Sequence, residues 1–224
     1  MAMDKLKKEI NYYLGASYRR KELDRLQERY KNVYKGDVLD IGGRDRGNFK
    51  KPKNQARKWV FADIEEKHHP DIILDISRMD NIGDETYDVV SAMELFKHVA
   101  KPESGIKECY RVLRKGGNLI LSAPFLYPVH ADPYDFQRWT KEKWKNELKN
   151  EGFEIEIIKE VGSFFSVLCG MIKDLNKSFV IFKYLGYFLY PLLDIMVKLD
   201  NCNSILKNLG CDKYTTGYFI IAKK

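Results

Sequence analysis

The stretch Val38-Leu39-Asp40-Ile41-Gly42-Gly43-Arg44-Asp45-Arg46-Gly47 decides the fold. Its first four residues form a short, nearly continuous apolar run, bounded by Gly36 before it and by a glycine pair after it. A run of this length without strict alternation reads as a strand covered on both faces, the kind found in parallel sheets. The glycine pair ends the strand and lets the backbone come close to a ligand.

Downstream, the same pattern repeats. Trp59-Val60-Phe61-Ala62 reads as a second strand ended by Asp63, Asp71-Ile72-Ile73-Leu74 as a third ended by Asp75, and Tyr87-Asp88-Val89-Val90 as a fourth. The spacing of Ile106, Tyr110 and Leu113 predicts a helix from about Glu103 to Leu113, which Gly116-Gly117 breaks before a fifth strand, Asn118–Leu121. Thr140 is placed to cap a helix that runs to about Glu151 and stops at Gly152. Phe153–Lys159 alternates as an edge strand, and Thr216–Ile221 reads as the last strand. This order of strands and helices predicts a doubly wound α/β fold. Upstream, Leu6, Ile10, Tyr13, Leu23, Leu26 and Tyr30 predict helix over 4–30, with Gly15 as a dividing point.

The chain has 224 residues, 44% hydrophobic and 13% aromatic, which suits one domain with a full core and excludes disorder as its main state. Its net charge of +7 is scattered, and no nucleic-acid partner is expected from it. Cys109, Cys169, Cys202 and Cys211 show no metal-ligand spacing. Their reduced state, and an N-terminus without an apolar signal region, lead us to expect a cytoplasmic protein.

In a doubly wound sheet, ligands bind beyond the carboxyl ends of the strands. Asp63 stands 21 positions after Gly42, where a carboxylate can accept from both hydroxyls of a ribose. Asp75, at the end of the third strand, is placed to accept from an adenine amino group. Each of these alone reads more simply as a solvated strand end. Together they point to a nucleoside-containing cofactor.

VLDIGGRDRG (38–47), FADI (61–64), LDI (74–76), YDVVSAMELFKHV (87–99), RVLRKGGNLILSAP (111–124) and the closing GYFIIAKK together resemble the class I S-adenosylmethionine-dependent methyltransferases, in particular the methyltransferase type 11 group. The resemblance covers roughly 36–160 and the last strand. It implies a Rossmann-like seven-stranded sheet whose C-terminal strand is antiparallel, with S-adenosyl-L-methionine as cofactor. It also implies roles: Gly42 and Gly43 under the methionine part, Asp63 on the ribose, Asp75 and Ile76 on the adenine, and Ala92 and Met93 as floor. Asp40 and Ile64 complete the cofactor-binding set. The family's glycine loop has three glycines at alternate positions, where this chain has Gly42, Arg44 and Arg46. A non-catalytic binding protein of the same fold is therefore the alternative reading. A nicotinamide dinucleotide fingerprint, matched at Gly42, Gly47 and Asp63, ranks behind both because Arg44 replaces its middle glycine.

Methyl transfer from a sulfonium is a displacement that alignment alone can promote, with a base needed only where the acceptor must lose a proton. His130, in the polar and aromatic loop Tyr127–Trp139, is the candidate base, oriented by Asp132 or Asp135. Tyr127 and Arg138 are the candidate substrate contacts. His68-His69 read as a solvated turn, and no metal is expected. Ser91-Ala92-Met93-Glu94 stands where amino-group methyltransferases carry an Asn/Asp-Pro-Pro-aromatic motif, so O-methylation of a small molecule or a sugar or glycan acceptor is expected. The domains expected are an N-terminal helical segment (1–35), the methyltransferase domain (36–160 and 214–224) and an inserted apolar helical cap (161–213). Phe179–Val197 within that cap reads as a lid over the acceptor or a homodimer surface, ahead of an in-plane membrane contact.

Overall fold

The apolar runs become strands because each is short, β-branched or aromatic, and stopped by a residue that turns the chain. In a computed structural model, which describes residues 2–45, 47–130, 134–178, 180–202 and 208–224, they are β1 (Gly36–Ile41), β2 (Ala56–Asp63), β3 (Ile72–Ile73), β4 (Tyr87–Met93) and β5 (Leu113–Pro124). Together with β6 (Glu154–Glu160) and β7 (Gly217–Lys223) they form one seven-stranded sheet in the order β3-β2-β1-β4-β5-β7-β6. The first five strands pair in parallel. β7 runs against them: its last residues reach the start of β5, where Gly116 N donates to Lys224 O (2.8 Å) and Lys224 N to Gly117 O (3.0 Å).

That pairing corrects the reading of Gly116-Gly117. The two glycines do not precede the fifth strand; they lie inside β5. Gly116 takes φ +78, and a Cβ on Gly117 would stand 2.9 Å from the carbonyls of Arg114 and Asp88. The register slips at this point, so the pair makes a bulge that only glycine fits.

α3 (Pro102–Val112) crosses between β4 and β5, and α4 (Lys141–Asn150) between β5 and β6. Thr140 caps α4 by accepting from Lys143 N (3.3 Å), and Gly152, at φ +94, ends it. Between β1 and β2 the described residues contain only a 3-10 turn, Lys53–Gln55. The core under the sheet is apolar throughout, from Leu39 and Val90 to Leu119, Leu121 and Ile220. Trp144 packs edge-on against Phe96 within it.

Two compact units divide the chain: residues 29–45, 50–159 and 218–224 hold the sheet, while 1–28, 46–49 and 160–217 form a helical unit. In the helical unit the expected helix over 4–30 is two, α1 (Ala2–Gly15) and α2 (Tyr18–Arg29). Ser17 accepts from Arg20 N (3.1 Å) and so starts the second. α5 (Phe164–Ser178) and α6 (Val180–Lys198, with Pro191 inside it) follow. Tyr18, Cys169, Tyr190 and Leu193 are their common core. Lys173, buried, caps the end of α1 by donating to the carbonyls of Tyr13 (3.1 Å) and Ala16 (2.7 Å). Asp200 caps α5, accepting from the backbone of Ser163, Phe165 and Ser166 at 2.8–3.0 Å. Leu168, Met171 and Leu175 on α5, and Phe188, Leu192 and Ile195 on α6, are exposed. Among the described residues no helix is long and apolar enough to cross a membrane.

Candidate functional site at the carboxyl edge of the sheet

The parallel registers place the ends of β1, β2, β4 and β5 on one edge. Ile41 lies beside Ala62, Asp40 beside Ser91, and Met93 beside Ser122. The ends of these strands and the segments that follow them carry every sequence-predicted site residue except Asp75 and Ile76, which follow β3.

After β1 the chain turns at Gly42, where φ is +65 and the amide donates to Ala62 O (2.7 Å). A Cβ there would touch Leu95 Cδ1 at 3.0 Å. Gly43 has another reason to be glycine. Its Cβ would lie 2.1–2.2 Å from the Asp40 carboxyl group, which is buried beneath the turn. Asp40 accepts from Trp59 Nε1 (3.3 Å) and pairs with Lys51 Nζ (2.9 Å). Lys51 also donates to Gly43 O and approaches Asp45 (3.3 Å), so a single ammonium staples the turn from inside. Asp40 thus underpins the glycine turn. Gly47 (φ +96) belongs to the helical unit, where its Cβ would strike the Asp24 carboxylate; Arg46 lies outside the described residues.

Asp63 ends β2 almost buried. Its Oδ1 accepts from Glu65 N (3.0 Å), and its Oδ2 lies 3.1 Å from His68 Nδ1. His68, read from sequence as part of a solvated turn, is instead tucked against the site: its Nε2 stands 3.0 Å from Arg44 Nη1. Next to Asp63, Ile64 is 60% exposed, an apolar side chain offered to solvent at the strand end. Asp75 is exposed and holds Ser77 N (2.8 Å) and Ser77 Oγ (2.7 Å) with one oxygen, leaving the other open. The Ile76 side chain is in the core, as is Ala92, while Met93 is half-buried.

Beyond β4 the sequence reading missed Glu94. It is buried, takes φ +59, accepts from Ser122 Oγ at 2.7 Å and donates its backbone N–H to Ser122 O at 3.0 Å. A left-handed conformation at a non-glycine residue is uncommon and stored where a site needs it. Buried Lys97 follows, with Nζ 3.2 Å from His130 Nε2. His130 itself is exposed on the loop after β5, and its ring lies 5.7 Å from that of His98.

Asp135 accepts from the His130 backbone N–H (3.0 Å), not from its ring; Asp132 lies outside the described residues. Arg138 grips Asp135 through both terminal nitrogens, one bond measuring 2.7 Å. That guanidinium holds the Asp135 carboxyl down at about 2, against the opposing effect of burial. Gln137 donates to Phe96 O (2.8 Å) and Val99 O (2.9 Å), tying this loop to the one after β4. Tyr127 is half-buried on the same loop. Hence Lys97 and His130 meet across the two loops, while Arg138 holds Asp135 within its own loop.

A family model described as a methyltransferase domain matches residues 50–121. Across 92% of this chain and 94% of its own, the structure of a SAM-dependent methyltransferase from Archaeoglobus fulgidus superposes with a TM-score of 0.59 at 18% identity. The fold is that of the class I methyltransferases. An S-adenosylmethionine-dependent methyltransferase from Mesorhizobium loti is similar over 86% of this chain and 93% of its own, at 13% identity and a TM-score of 0.53. The same methyltransferase fold is shared by the [4+2]-cyclase SpnF (17% identity, 90% and 80% coverage, TM-score 0.59). No curated protein sequence matches the chain.

Proposed function

We propose that the chain is an S-adenosylmethionine-dependent methyltransferase acting on an oxygen of a small molecule or sugar. The observation that carries this reading is Asp63. It is a nearly buried carboxylate at the end of β2, and only two of its roughly four acceptor positions face protein groups, so two remain for a ribose diol. Beside it, the Gly42 turn, Ile64 and the open oxygen of Asp75 suit the methionine part, base and amino edge of such a cofactor. Bound, the cofactor supplies an electrophilic methyl group.

The protein's part is alignment and proton handling. Tyr127 and His130 sit on the loop that would meet the acceptor, and Lys97 stands opposite His130 Nε2. An ammonium has no acceptor, so Nε2 faces it as the lone-pair nitrogen and the ring proton resides on Nδ1. In this reading the acceptor hydroxyl displaces the Lys97 ammonium from His130 Nε2, which then takes up the hydroxyl proton, and Glu94 with Ser122 fixes the backbone turn that leads to Lys97.

Calorimetric titration with S-adenosylhomocysteine tests the pocket. Asp63→Ala in a folded protein should weaken binding by about 1.5–3 kcal/mol for each charge-assisted bond lost. Unchanged affinity would remove Asp63 from the site. His130→Gln should then lower turnover about 10²–10⁴-fold with cofactor affinity kept.

The second reading, a methyltransferase fold that binds without transferring, draws support from Lys51. Its ammonium lies against the glycine turn, where a sulfonium cofactor would meet like charge. Binding of S-adenosylhomocysteine without methyl transfer to any oxygen nucleophile would favour it.

A further inference from the structure

Arg44 stands at a position where the glycine loop of this fold ordinarily carries no side chain, and its charge has to go somewhere. It goes to His68. Arg44 Nη1 lies 3.0 Å from His68 Nε2, and on the far side of the ring His68 Nδ1 lies 3.1 Å from Asp63 Oδ2. The ring is 15% exposed and the Asp63 side chain 8%, so water does little to screen either contact. The guanidinium has only donors. His68 Nε2 must therefore present its lone pair, which puts the ring proton on Nδ1, beside the carboxylate. The approach to Asp63 is close but not in line, since Nδ1 is buried without a hydrogen-bonded acceptor.

We propose that His68 is a positioning residue for Asp63: a neutral imidazole that faces the carboxylate with Nδ1–H, accepts from Arg44 at Nε2, and so ties the arginine of the glycine turn to the acid that would hold the ribose. The proposal rests on the cofactor reading above for its purpose, but the bridge itself exists in the protein alone. Its consequence is specific. Removing the ring takes one partner from Arg44 beside the turn and at the same time releases Asp63 from one of its two contacts. Removing the arginine as well leaves only the second loss.

Two measurements separate the bridge from the cofactor reading. Long-range proton–nitrogen NMR of nitrogen-15 histidine-labelled protein at pH 8, with His68 assigned through His68→Gln, should show protonated Nδ1 and bare Nε2. Free imidazole side chains prefer the opposite tautomer, and Arg44→Ala should return His68 to it. An Nε2-protonated ring in the wild type, or one indifferent to Arg44→Ala, overturns the bridge. In calorimetry with S-adenosylhomocysteine, His68→Ala should lose about tenfold in affinity, with part regained in Arg44→Ala/His68→Ala. Equal affinities in wild type and His68→Ala also overturn the positioning role. A wild type that binds no S-adenosylhomocysteine refutes the cofactor reading instead, and the ring spectrum still decides the bridge.

Discussion

Alanine at Gly43 should damage the protein more than alanine at Gly42, although backbone geometry argues the reverse. Gly42 has φ +65, which costs an L residue about 1–2 kcal/mol, and its Cβ would meet only the flexible end of Leu95 at 3.0 Å. Gly43 has no positive φ, but its Cβ would lie 2.1 Å from Asp40 Oδ1. The carboxylate would have to retreat by more than an ångström to reach ordinary van der Waals separation, leaving Lys51 Nζ at 2.9 Å and Trp59 Nε1 at 3.3 Å. Breaking a buried ion pair costs about 3–5 kcal/mol. Lys51 keeps Gly43 O and Asp45 in reach, so the lower end, about 3 kcal/mol, is expected for Gly43→Ala against about 1–2 for Gly42→Ala. Urea denaturation followed by tryptophan fluorescence measures both, and Trp59 reports on Asp40 directly. A double-mutant cycle adds the decisive control: Asp40→Ala/Gly43→Ala should cost no more than Asp40→Ala alone. A Gly43→Ala protein within about 0.5 kcal/mol of wild type, or one more stable than Gly42→Ala, would refute the argument.

Asp135→Asn should destabilise the protein by about 2 kcal/mol at pH 7, because its carboxyl is held at about 2 against an ordinary 3.8. A depressed acid contributes above its ordinary value and loses that contribution as pH falls toward 2, so the gap between mutant and wild type, read by denaturant titration, should close over that range. Asp200→Ala removes three backbone acceptances at the start of α5 and should cost about 2 kcal/mol, seen as a lower Tm in circular dichroism.

How far the sequence discloses this molecule depends on the distance over which each cause acts. β1 was legible because its apolar run and the Gly42-Gly43 stop are contiguous, and α4 because Thr140 and Gly152 mark its two ends within a dozen residues. The Gly116-Gly117 bulge was misplaced because its reason, Lys224, lies more than a hundred positions away. Asp200 caps a helix that starts some 36 residues earlier, which no local pattern announces. Among the residues of the candidate site, the place of Asp63 at a strand end follows from strand position alone. His68 does not, since a His-His-Pro turn looks solvated until Arg44 arrives from another strand's loop. Glu94 left no signal either, because a left-handed glutamate is dictated by Ser122 and the turn it enters rather than by its neighbours in sequence. Arg138 is the reverse case: its ion-pair partner Asp135 sits three residues back, within reach of a local reading.

The strand order β5-β7-β6 has a consequence for how the chain is made. β7 occupies an interior position in the sheet, yet it is the last of the seven strands to be synthesised. Until residue 223 has left the ribosome, β5 presents an unpaired edge next to an apolar core and β6 has no neighbour to dock on. A nascent chain in this condition carries a long, open, hydrophobic strand edge, the feature that invites pairing with other chains. The five parallel strands can assemble during translation, but closure of the sheet must wait for the final seven-residue strand to insert between two others. Translation speed over the hundred codons that separate the end of β5 from the end of β7, and chaperone occupancy during that interval, are therefore where the yield of native protein would be decided.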